Sequence, residues 1–345
     1  MPSKDLPSFL RLLQEECDGV IPFERFMREA LYHPRFGYYS THIADVGPRG
    51  DFSTSATLDQ GLGIAIAAWV KERSNAFKWN RASVIEVGAG SGALASTVLD
   101  NLGWLKRLRT DYTIIETSPV LRGRQQKLLR GRHIVWSDSM EEALQRSKGK
   151  ALIFSNELVD AYPCRHFELT DTAWKELGVS IGADGSLREV FLEKTVNQNE
   201  FAAFCHLPKG QRIERHDSYR NWLKSWSPHW REGSMLTIDY GDAEEHLYER
   251  RPQGSLRAYW KHNRNTGIDV YARFGRQDIT ADVNFSDLIR WGEESGLKTV
   301  SNTTQREFLK KWLSEKTATH TSARFTHPDD AGDAFRVLEQ QTLNQ

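Results

Sequence analysis

The stretch V-I-E-V-G-A-G-S-G-A-L at residues 84–94 decides the fold of this 345-residue chain. Residues with β-forming character run into glycines at every second position, Gly88, Gly90 and Gly92, and a helical pattern starts at Ala93. Glycine adopts backbone conformations that a Cβ excludes, and it lets a ligand approach the main chain. A strand, a tight glycine turn and a helix form the opening of a nucleotide-binding α/β domain.

Two kinds of ligand fit this glycine turn. Dinucleotide-binding domains use the spacing G-x-G-x-x-G/A, which Gly88, Gly90 and Ala93 satisfy loosely. Methyltransferases that use S-adenosylmethionine instead have alternating glycines with an acid two residues before the first one, here Glu86. The glycine spacing alone leaves both ligands open, and a tight turn without a ligand is a third interpretation.

Composition narrows the class of protein. Lys plus Arg and Asp plus Glu both total 46, so a general binder of nucleic acid or of anionic membranes is not expected. No segment approaches the length of a membrane span. The cysteines, Cys17, Cys164 and Cys205, are odd in number and far apart, so neither a disulfide framework nor a metal site is expected. The N-terminal residues resemble no secretory signal or transit peptide, and we expect a cytoplasmic protein.

Predicted strands alternate with helices in the middle of the chain. The strands are expected at 83–87, 112–116, 133–136 and 151–155. This rhythm implies a parallel sheet with right-handed crossovers, whose ligand lies at the carboxyl ends of the strands. The expected fold class is therefore α/β, with a Rossmann-like, mostly parallel central sheet and helices on both faces.

Elements outside this core are also predicted from periodicity and from turn residues. The expected elements are amphipathic helices at 5–18 and 22–31, a buried helix at 59–75, antiparallel strands at 165–170, 173–182 and 188–194, a strand at 234–239 that returns to the central sheet, a long functional loop at 241–282, and a helix at 329–342.

Acidic residues follow the first three predicted strands in order. Glu86 lies near the end of the first strand, Glu116 ends the second, and Asp138 follows the third. A carboxylate after the second strand can bind both ribose hydroxyls of NAD or of S-adenosylmethionine. The further acid after the third strand, together with the alternating glycines, favours S-adenosylmethionine. Each acid by itself fits a solvated strand end equally well.

The fourth predicted strand ends in Asn156, Glu157 and Asp160. Two acids three positions apart can face one way on a turn, and a guanidinium suits paired carboxylates because it donates hydrogen bonds in a planar fork. The alternative interpretation is a helix cap at Asn156 followed by ordinary acids of a first helical turn.

Blocks of sequence spread over residues 20–313 resemble one family. They are I-P-F-E-R-F-M-R-E-A-L-Y-H-P-R-F-G-Y-Y, G-P-R-G-D-F-S-T-S-A, E-V-G-A-G-S-G-A-L, I-E-T-S-P-V-L-R-G-R-Q, S-N-E-L-V-D-A-Y-P, L-T-I-D-Y-G-D, G-S-L-R-A-Y-W-K-H, Q-D-I-T-A-D-V-N-F and T-Q-R-E-F-L. In their order and number they resemble the MidA-type family of S-adenosylmethionine-dependent methyltransferases. That family includes the mitochondrial complex I assembly factor that methylates an arginine of a core complex I subunit.

The resemblance implies roles for particular residues. The implied cofactor site consists of Gly50, Asp51, Phe52 and Thr54 as a covering loop, with Glu86, Gly88, Gly90, Gly92, Glu116, Asp138 and Asn156. The implied catalytic residues are Glu157, Asp160, Asn156 and His262, joined on the acceptor side by Asp239, Tyr240, Arg257, Gln277 and Asp278. His262 could instead be a loop histidine paired with an acid. The family often has histidine where Asp282 stands, aspartate where Asn284 stands and proline where Ala56 stands.

Together these observations predict five segments. They are an N-terminal helical segment with the cofactor-covering loop at 1–78, the α/β core at 79–163, an inserted substrate-side elaboration at 164–232, completion of the core with an active-site loop at 233–315, and a C-terminal tail at 316–345.

The predicted activity is methyl transfer from S-adenosylmethionine, which leaves S-adenosylhomocysteine, to an arginine nitrogen of a partner protein. The alternatives are an assembly chaperone that binds S-adenosylmethionine with little turnover and an NAD-dependent oxidoreductase, which the family blocks disfavour.

Overall fold

A computed structural model describes residues 5–43, 60–261, 263–314 and 331–343. The chain forms two compact units and passes between them several times. We call the larger one the core unit, made of Ile43–Leu158, Arg220–Asp242 and Phe285–Gln345. We call the other one the accessory unit, made of Met1–His42, Val159–Tyr219 and Ala243–Asn284.

The strands are numbered in chain order. They are β1 Ile21–Pro22, β2 Ala82–Val87, β3 Thr110–Ile115, β4 Ile134–Ser137, β5 Leu152–Asn156, β6 Arg165–Leu169, β7 Trp174–Ile181, β8 Leu187–Phe191, β9 Arg212–Arg215, β10 Ser234–Asp242, β11 Arg257–Trp260, β12 Asn263–Asn265, β13 Asp278–Thr280, β14 Val283–Asn284, β15 Leu297–Thr304 and β16 Phe335–Thr342.

The α-helices are numbered in the same way. They are α1 Leu6–Glu16, α2 Phe23–Tyr32, α3 Gly61–Ala76, α4 Ala93–Asn101, α5 Trp104–Leu108, α6 Pro119–Leu128, α7 Met140–Arg146, α8 Asp217–Trp226, α9 Glu244–Leu247, α10 Phe285–Glu294, α11 Gln305–Trp312 and α12 Ala331–Ala334. Short 3-10 helices cover Gln198–Phe204, Ser227–His229 and Gly267–Val270, and a π-helical turn covers Tyr38–His42.

The core unit is built on a mixed, largely parallel sheet with the order β15-β16-β10-β5-β2-β3-β4. The pairs β4–β3, β3–β2, β2–β5 and β5–β10 are parallel, whereas β16 is antiparallel to both of its neighbours. Because β2 and β5 are neighbours but are not consecutive, the strand order reverses there, and ligands of such sheets bind at that point. The predicted α/β fold class is confirmed, including the return of residues 234–239 to the sheet.

The last strand of this sheet corrects a prediction made from the sequence. We expected a helix at 329–342, but Phe335–Thr342 forms β16 between β10 and β15. The apolar pair Val337 and Leu338 fits either periodicity. The segment forms a strand because its backbone pairs with β10 on one edge and with β15 on the other. This pairing provides hydrogen-bond partners for the peptide groups of a segment that is almost wholly buried.

The accessory unit contains two sheets. One has the antiparallel order β1-β7-β6-β9, and β8 also pairs antiparallel with β7, as predicted for residues 165–194. Its apolar cluster includes Phe167, Trp174, Phe201 and Ile213. The second sheet, β12-β11-β13, lies in the stretch 241–282 that we predicted to be a loop, so that prediction is wrong. Among the described residues, no helix is both long and apolar enough to cross a bilayer.

Candidate active site

The glycine turn of the core unit has the backbone that its sequence predicts. It follows β2 directly, and the φ angles of Gly88, Gly90 and Gly92 are +70°, +53° and +83°. Residues with a side chain rarely adopt such angles. A Cβ on Gly88 would also lie 2.8 Å from the Leu158 side chain. Glycine therefore suits this turn, at the carboxyl end of β2 and at the start of α4, both by its backbone angles and by the close packing of Leu158.

Glu86 lies beneath the glycine turn and is buried. Its Oε2 accepts a hydrogen bond from the Tyr112 hydroxyl at 2.5 Å. Burial raises the pKa of Glu86 to about 7, although the Tyr112 hydrogen bond opposes this shift. The Glu86 carboxyl group thus joins the end of β2, just before the glycine turn, to the neighbouring strand β3.

Glu116 follows β3 and is held by two neighbours. Its Oε1 accepts a hydrogen bond from the Ser118 backbone N–H at 2.9 Å, and its Oε2 accepts one from Gln125 Nε2 at 2.9 Å. Burial raises the pKa of Glu116, and these hydrogen bonds oppose the rise. A carboxylate fixed in this way, at the end of the second parallel strand, suits the ribose hydroxyls of a nucleoside.

Gln125 is a residue of this site that sequence reasoning missed. It is fully buried in α6. Its Nε2 donates to Glu116 and to the Gly90 carbonyl oxygen, both at 2.9 Å, and its Oε1 accepts from Trp136 Nε1 at 3.0 Å. One amide thus ties the glycine turn to the carboxylate after β3 and to β4. No local motif marks this glutamine, because its partners lie far away in the sequence.

Asp138 follows β4 and is exposed. Its carboxylate forms an ion pair with Arg122 at 2.6 Å, and its backbone N–H donates to Glu142 at 3.2 Å. The three acids predicted to surround the nucleoside therefore stand at the carboxyl ends of three adjacent parallel strands.

The end of β5 carries Asn156 and Glu157 next to the glycine turn. Val87 pairs with Ser155, so the residues that follow β2 and β5 are neighbours across the sheet. Asn156 Nδ2 donates to Glu157 Oε1 at 3.1 Å. The φ of Glu157 is +52°, a left-handed conformation that is costly for a residue with a Cβ.

The buried Asp239 of β10 holds this conformation in place. Its Oδ2 accepts the Leu158 N–H at 3.1 Å and its Oδ1 accepts the Tyr240 N–H at 2.9 Å. The Glu157 N–H donates to the Ile238 carbonyl oxygen at 2.9 Å. The main chain of the turn is thus fixed by hydrogen bonds to β10, and the Glu157 carboxylate is held by Asn156.

Asp160 belongs to the accessory unit and lies in a buried polar network. Arg257 forms an ion pair with Asp282, and Arg251 pairs with the other oxygen of the same carboxylate. Burial raises the pKa of Asp160 while the charge of Arg257 opposes the rise. Burial would also raise the pKa of Asp282, but the two arginines outweigh it and hold that pKa below its usual range.

This network explains one departure from the family pattern. Asp282 stands where the family often has histidine, and in this chain it balances two arginines. Nearby in sequence, the buried Asp278 accepts a hydrogen bond from the Tyr39 hydroxyl at 2.8 Å, and Gln277 Nε2 donates to the Val270 carbonyl oxygen.

Several predicted site residues lie outside the residues that the structure describes. They are Gly50, Asp51, Phe52, Thr54 and His262. Within the described ranges, no group of three or more His, Cys, Asp or Glu side chains could hold a metal ion.

Comparison with known proteins separates the ligands that glycine spacing left open. Residues 62–303 match the model of a family described as "Putative S-adenosyl-L-methionine-dependent methyltransferase". The chain is 27% identical over 331 residues to protein arginine methyltransferase NDUFAF7, mitochondrial, of Danio rerio, which covers 85% of this chain and 73% of that protein. The human protein of the same name is 25% identical over 311 residues, covering 80% and 66%.

A solved structure supports the same conclusion. The crystal structure of a protein from Burkholderia thailandensis bound to S-adenosyl-homocysteine matches with a TM-score of 0.84 and 27% identity. The match covers 99% of this chain and 94% of that one. The buried acid after β3 and the glycine turn fit the same nucleoside in this chain. Since the family model matches well over half of its length, the chain belongs to this family of S-adenosyl-L-methionine-dependent methyltransferases, and S-adenosyl-L-methionine is its cofactor.

Proposed function

We propose that this enzyme methylates an arginine nitrogen of a partner protein. The observation that carries the proposal is the carboxylate of Glu157, which stands beside the glycine turn in a left-handed backbone conformation. Strain of this kind is kept where a side chain must be aimed for function. A carboxylate next to the methyl donor suits a guanidinium better than it suits an uncharged acceptor, because it offers two oxygens to a planar fork of donors. The name of the relatives as arginine methyltransferases supports the same acceptor.

The roles of the protein groups follow from the chemistry of arginine. S-adenosyl-L-methionine supplies an electrophilic methyl group on a sulfonium. A free guanidinium is protonated at neutral pH. Glu157 would orient it, stabilise its charge and accept the proton that the methylated nitrogen must lose. Alignment of the two reactants can lower the barrier by roughly 7–11 kcal/mol. Asp160, three residues further along the chain, is the second carboxylate that we assign to the acceptor side.

We further propose a cytoplasmic enzyme whose protein substrate is a subunit of a respiratory complex of the complex I type. The resemblance of the sequence blocks to the MidA-type family, which includes a mitochondrial complex I assembly factor, supports this class of substrate. The three unpaired cysteines Cys17, Cys164 and Cys205 suit a reducing compartment.

Replacement of Glu157 by Gln tests the proposed role. The amide keeps the size of the side chain but cannot accept the proton, so we expect methylarginine on partner proteins to fall at least roughly a hundredfold. Mass spectrometry of arginine methylation in cells with wild type, Glu157→Gln or no protein measures the effect. Affinity for S-adenosyl-L-methionine, measured by calorimetry, should change little.

Methylarginine levels in these three kinds of cell distinguish an active enzyme from a chaperone that binds the cofactor without turnover. A full level of methylarginine in the Glu157→Gln cells would show that this carboxylate is not catalytic. The same methylarginine sites with and without the wild-type protein would refute arginine methylation altogether. The variant Glu157→Gly removes the carboxylate and relieves the backbone strain, so it should unfold at equal or higher denaturant concentration and still lack activity.

A further inference from the structure

The hairpin β11–β12 of the accessory unit carries a tryptophan beneath two cations. Lys261 Nζ lies 4.8 Å from the centroid of the Trp260 ring, and Arg273 Cζ lies 4.3 Å from it. Trp260 is half-buried and Lys261 is exposed. An arginine that stacks on a ring keeps the N–H groups at its edge available for carboxylates.

This surface is separate from the buried network at Arg257. Side chains alternate along a strand, so Arg257 and Tyr259 share one face of β11 and Trp260 points to the other. The hydrogen bond from Arg257 Nε to the Tyr259 hydroxyl, at 3.0 Å, agrees with this alternation. Arg264 stands directly opposite Tyr259 in the hairpin, so its side chain shares the face of Arg257 and not that of Trp260. The face of the hairpin that carries Trp260 is therefore distinct from the face that carries Arg257.

The charge of this segment is unlike that of the rest of the chain. Residues 250–276 contain seven Lys or Arg side chains and a single acid, Asp269, although the whole chain is neutral. Arg251 and Arg257 both form ion pairs with Asp282. In the part of the chain that the structure describes, Lys261, Arg264 and Arg273 form no ion pair.

Two further features indicate that the cluster is built to bind a ligand. Arg273 Nη1 is buried and has no hydrogen-bond acceptor among the described residues. Buried donors without acceptors are rare in folded proteins. Lys261 has a φ of +50°, so the hairpin holds this cation in a costly conformation.

We propose that the Trp260 cluster, made of Trp260, Lys261 and Arg273, binds an acidic segment of the protein partner. The proposal rests on the proposed function only in taking the partner to be the methylated protein. Peptide carboxylates supply the acceptor oxygens that these cations lack. Nucleic acid fits less well, because binding of single strands relies on open aromatic faces for base stacking and this ring already lies beneath two cations. The cluster would thus recruit the partner through its acidic segment.

Binding of a fluorescent decaglutamate peptide, followed by anisotropy at low salt, tests the proposal. Charge reversal of the exposed cation in Lys261→Glu should weaken binding by roughly fivefold or more, because an attraction is replaced by a repulsion. The matched control is Lys194→Glu, which makes the same change in charge on an exposed side chain of the same unit. The control should bind within about twofold of wild type.

The outcomes separate the alternatives. No binding of decaglutamate by the wild type, or equal weakening in Lys261→Glu and Lys194→Glu, would overturn the proposed binding site. Tighter binding of decauridylate of the same length would overturn the choice of a protein partner. Calorimetry with S-adenosyl-L-methionine should give the same affinity for all three proteins. Because the peptide contains no arginine, its binding is read independently of methyl transfer, so failure of the proposed activity cannot be mistaken for failure of the cluster.

Discussion

At the scale of single residues, Glu157 combines strain with a defined hydrogen-bond environment. Its left-handed backbone costs of the order of 1–3 kcal/mol. The buried Asp239 stabilises the turn by accepting two backbone N–H groups, those of Leu158 and Tyr240. Hydrogen bonds to β10 thereby hold the strained turn that carries the Glu157 carboxylate.

Gln125 gives a second test at this scale. Replacement by Leu keeps the volume of the buried side chain but removes its hydrogen bonds to Gly90 and Glu116. Each such bond contributes about 0.5–1.5 kcal/mol, so the affinity for S-adenosyl-L-methionine should fall roughly ten- to hundredfold. Calorimetric titration measures the change.

The matched control for this substitution is Gln145→Leu at an exposed position of α7. This variant should bind S-adenosyl-L-methionine with the affinity of the wild type. Unchanged cofactor affinity in Gln125→Leu, with only a lower midpoint of unfolding, would show that Gln125 supports the fold and not the binding of cofactor.

At the scale of elements, β16 completes the sheet and carries a buried charge. Glu339 accepts hydrogen bonds from Arg73 at 2.6 and 2.8 Å, from Trp69 at 2.8 Å and from Ser234 at 2.9 Å. Burial would raise the pKa of Glu339, but the bonds from Arg73 and Trp69 hold that pKa below its ordinary value. One side chain therefore joins the last strand to α3 and to β10.

Removal of this charge should be costly because the only other ion pair of Arg73 among the described residues is with the exposed Glu72, at 3.6 Å. The Arg73 side chain is only 17% exposed and that of Glu339 is 3% exposed. We expect Glu339→Gln to lower the free energy of unfolding by about 3 kcal/mol. The double variant Arg73→Met/Glu339→Met should lose less than the sum of its two single substitutions. Denaturant unfolding of all four proteins gives the coupling, and strict additivity would contradict the pairing.

At the scale of the whole molecule, acid acts on stability in two opposing ways. Burial lowers the pKa of His166 to about 3 and that of His216 to about 4, against an ordinary value of 6.5. Stability is therefore lost as pH falls below 6.5. Burial raises the pKa of Glu86 to about 7, so its ionised form lowers stability above that pH, and the penalty disappears between pH 7 and 4.5.

The variant Glu86→Gln isolates the effect of Glu86 ionisation on the free energy of unfolding. Gln can accept the same Tyr112 hydrogen bond without a charge. It should exceed wild type in stability at pH 8 by up to roughly 3 kcal/mol, since the pKa is about 7 instead of 4.5. The advantage should vanish by pH 4.5. Denaturant unfolding between pH 8 and 4.5 measures it, and a difference independent of pH would refute the raised pKa.

Much of the fold and of the cofactor site could be predicted from local patterns. The glycine turn, the strands around it and the acids at the ends of β2 and β3 are short-range features, because one residue type at one spacing sets the backbone. The family blocks extended this to the class of reaction. The role of Gln125 could not be predicted, since its partners lie 9, 11 and 35 residues away.

The sequence by itself determined the strand-to-helix glycine turn, because glycine adopts the left-handed angles found there without the strain that a Cβ causes. Tertiary structure alone decided the state of residues 335–342, where an ambiguous apolar pattern becomes a strand by pairing along both edges. It also decided the chemistry of the acids. Glutamate at position 86 is buried and has a pKa of about 7, whereas glutamate at position 339 forms an ion pair with Arg73. The two differ because burial and neighbouring groups set the free energy of the charged form.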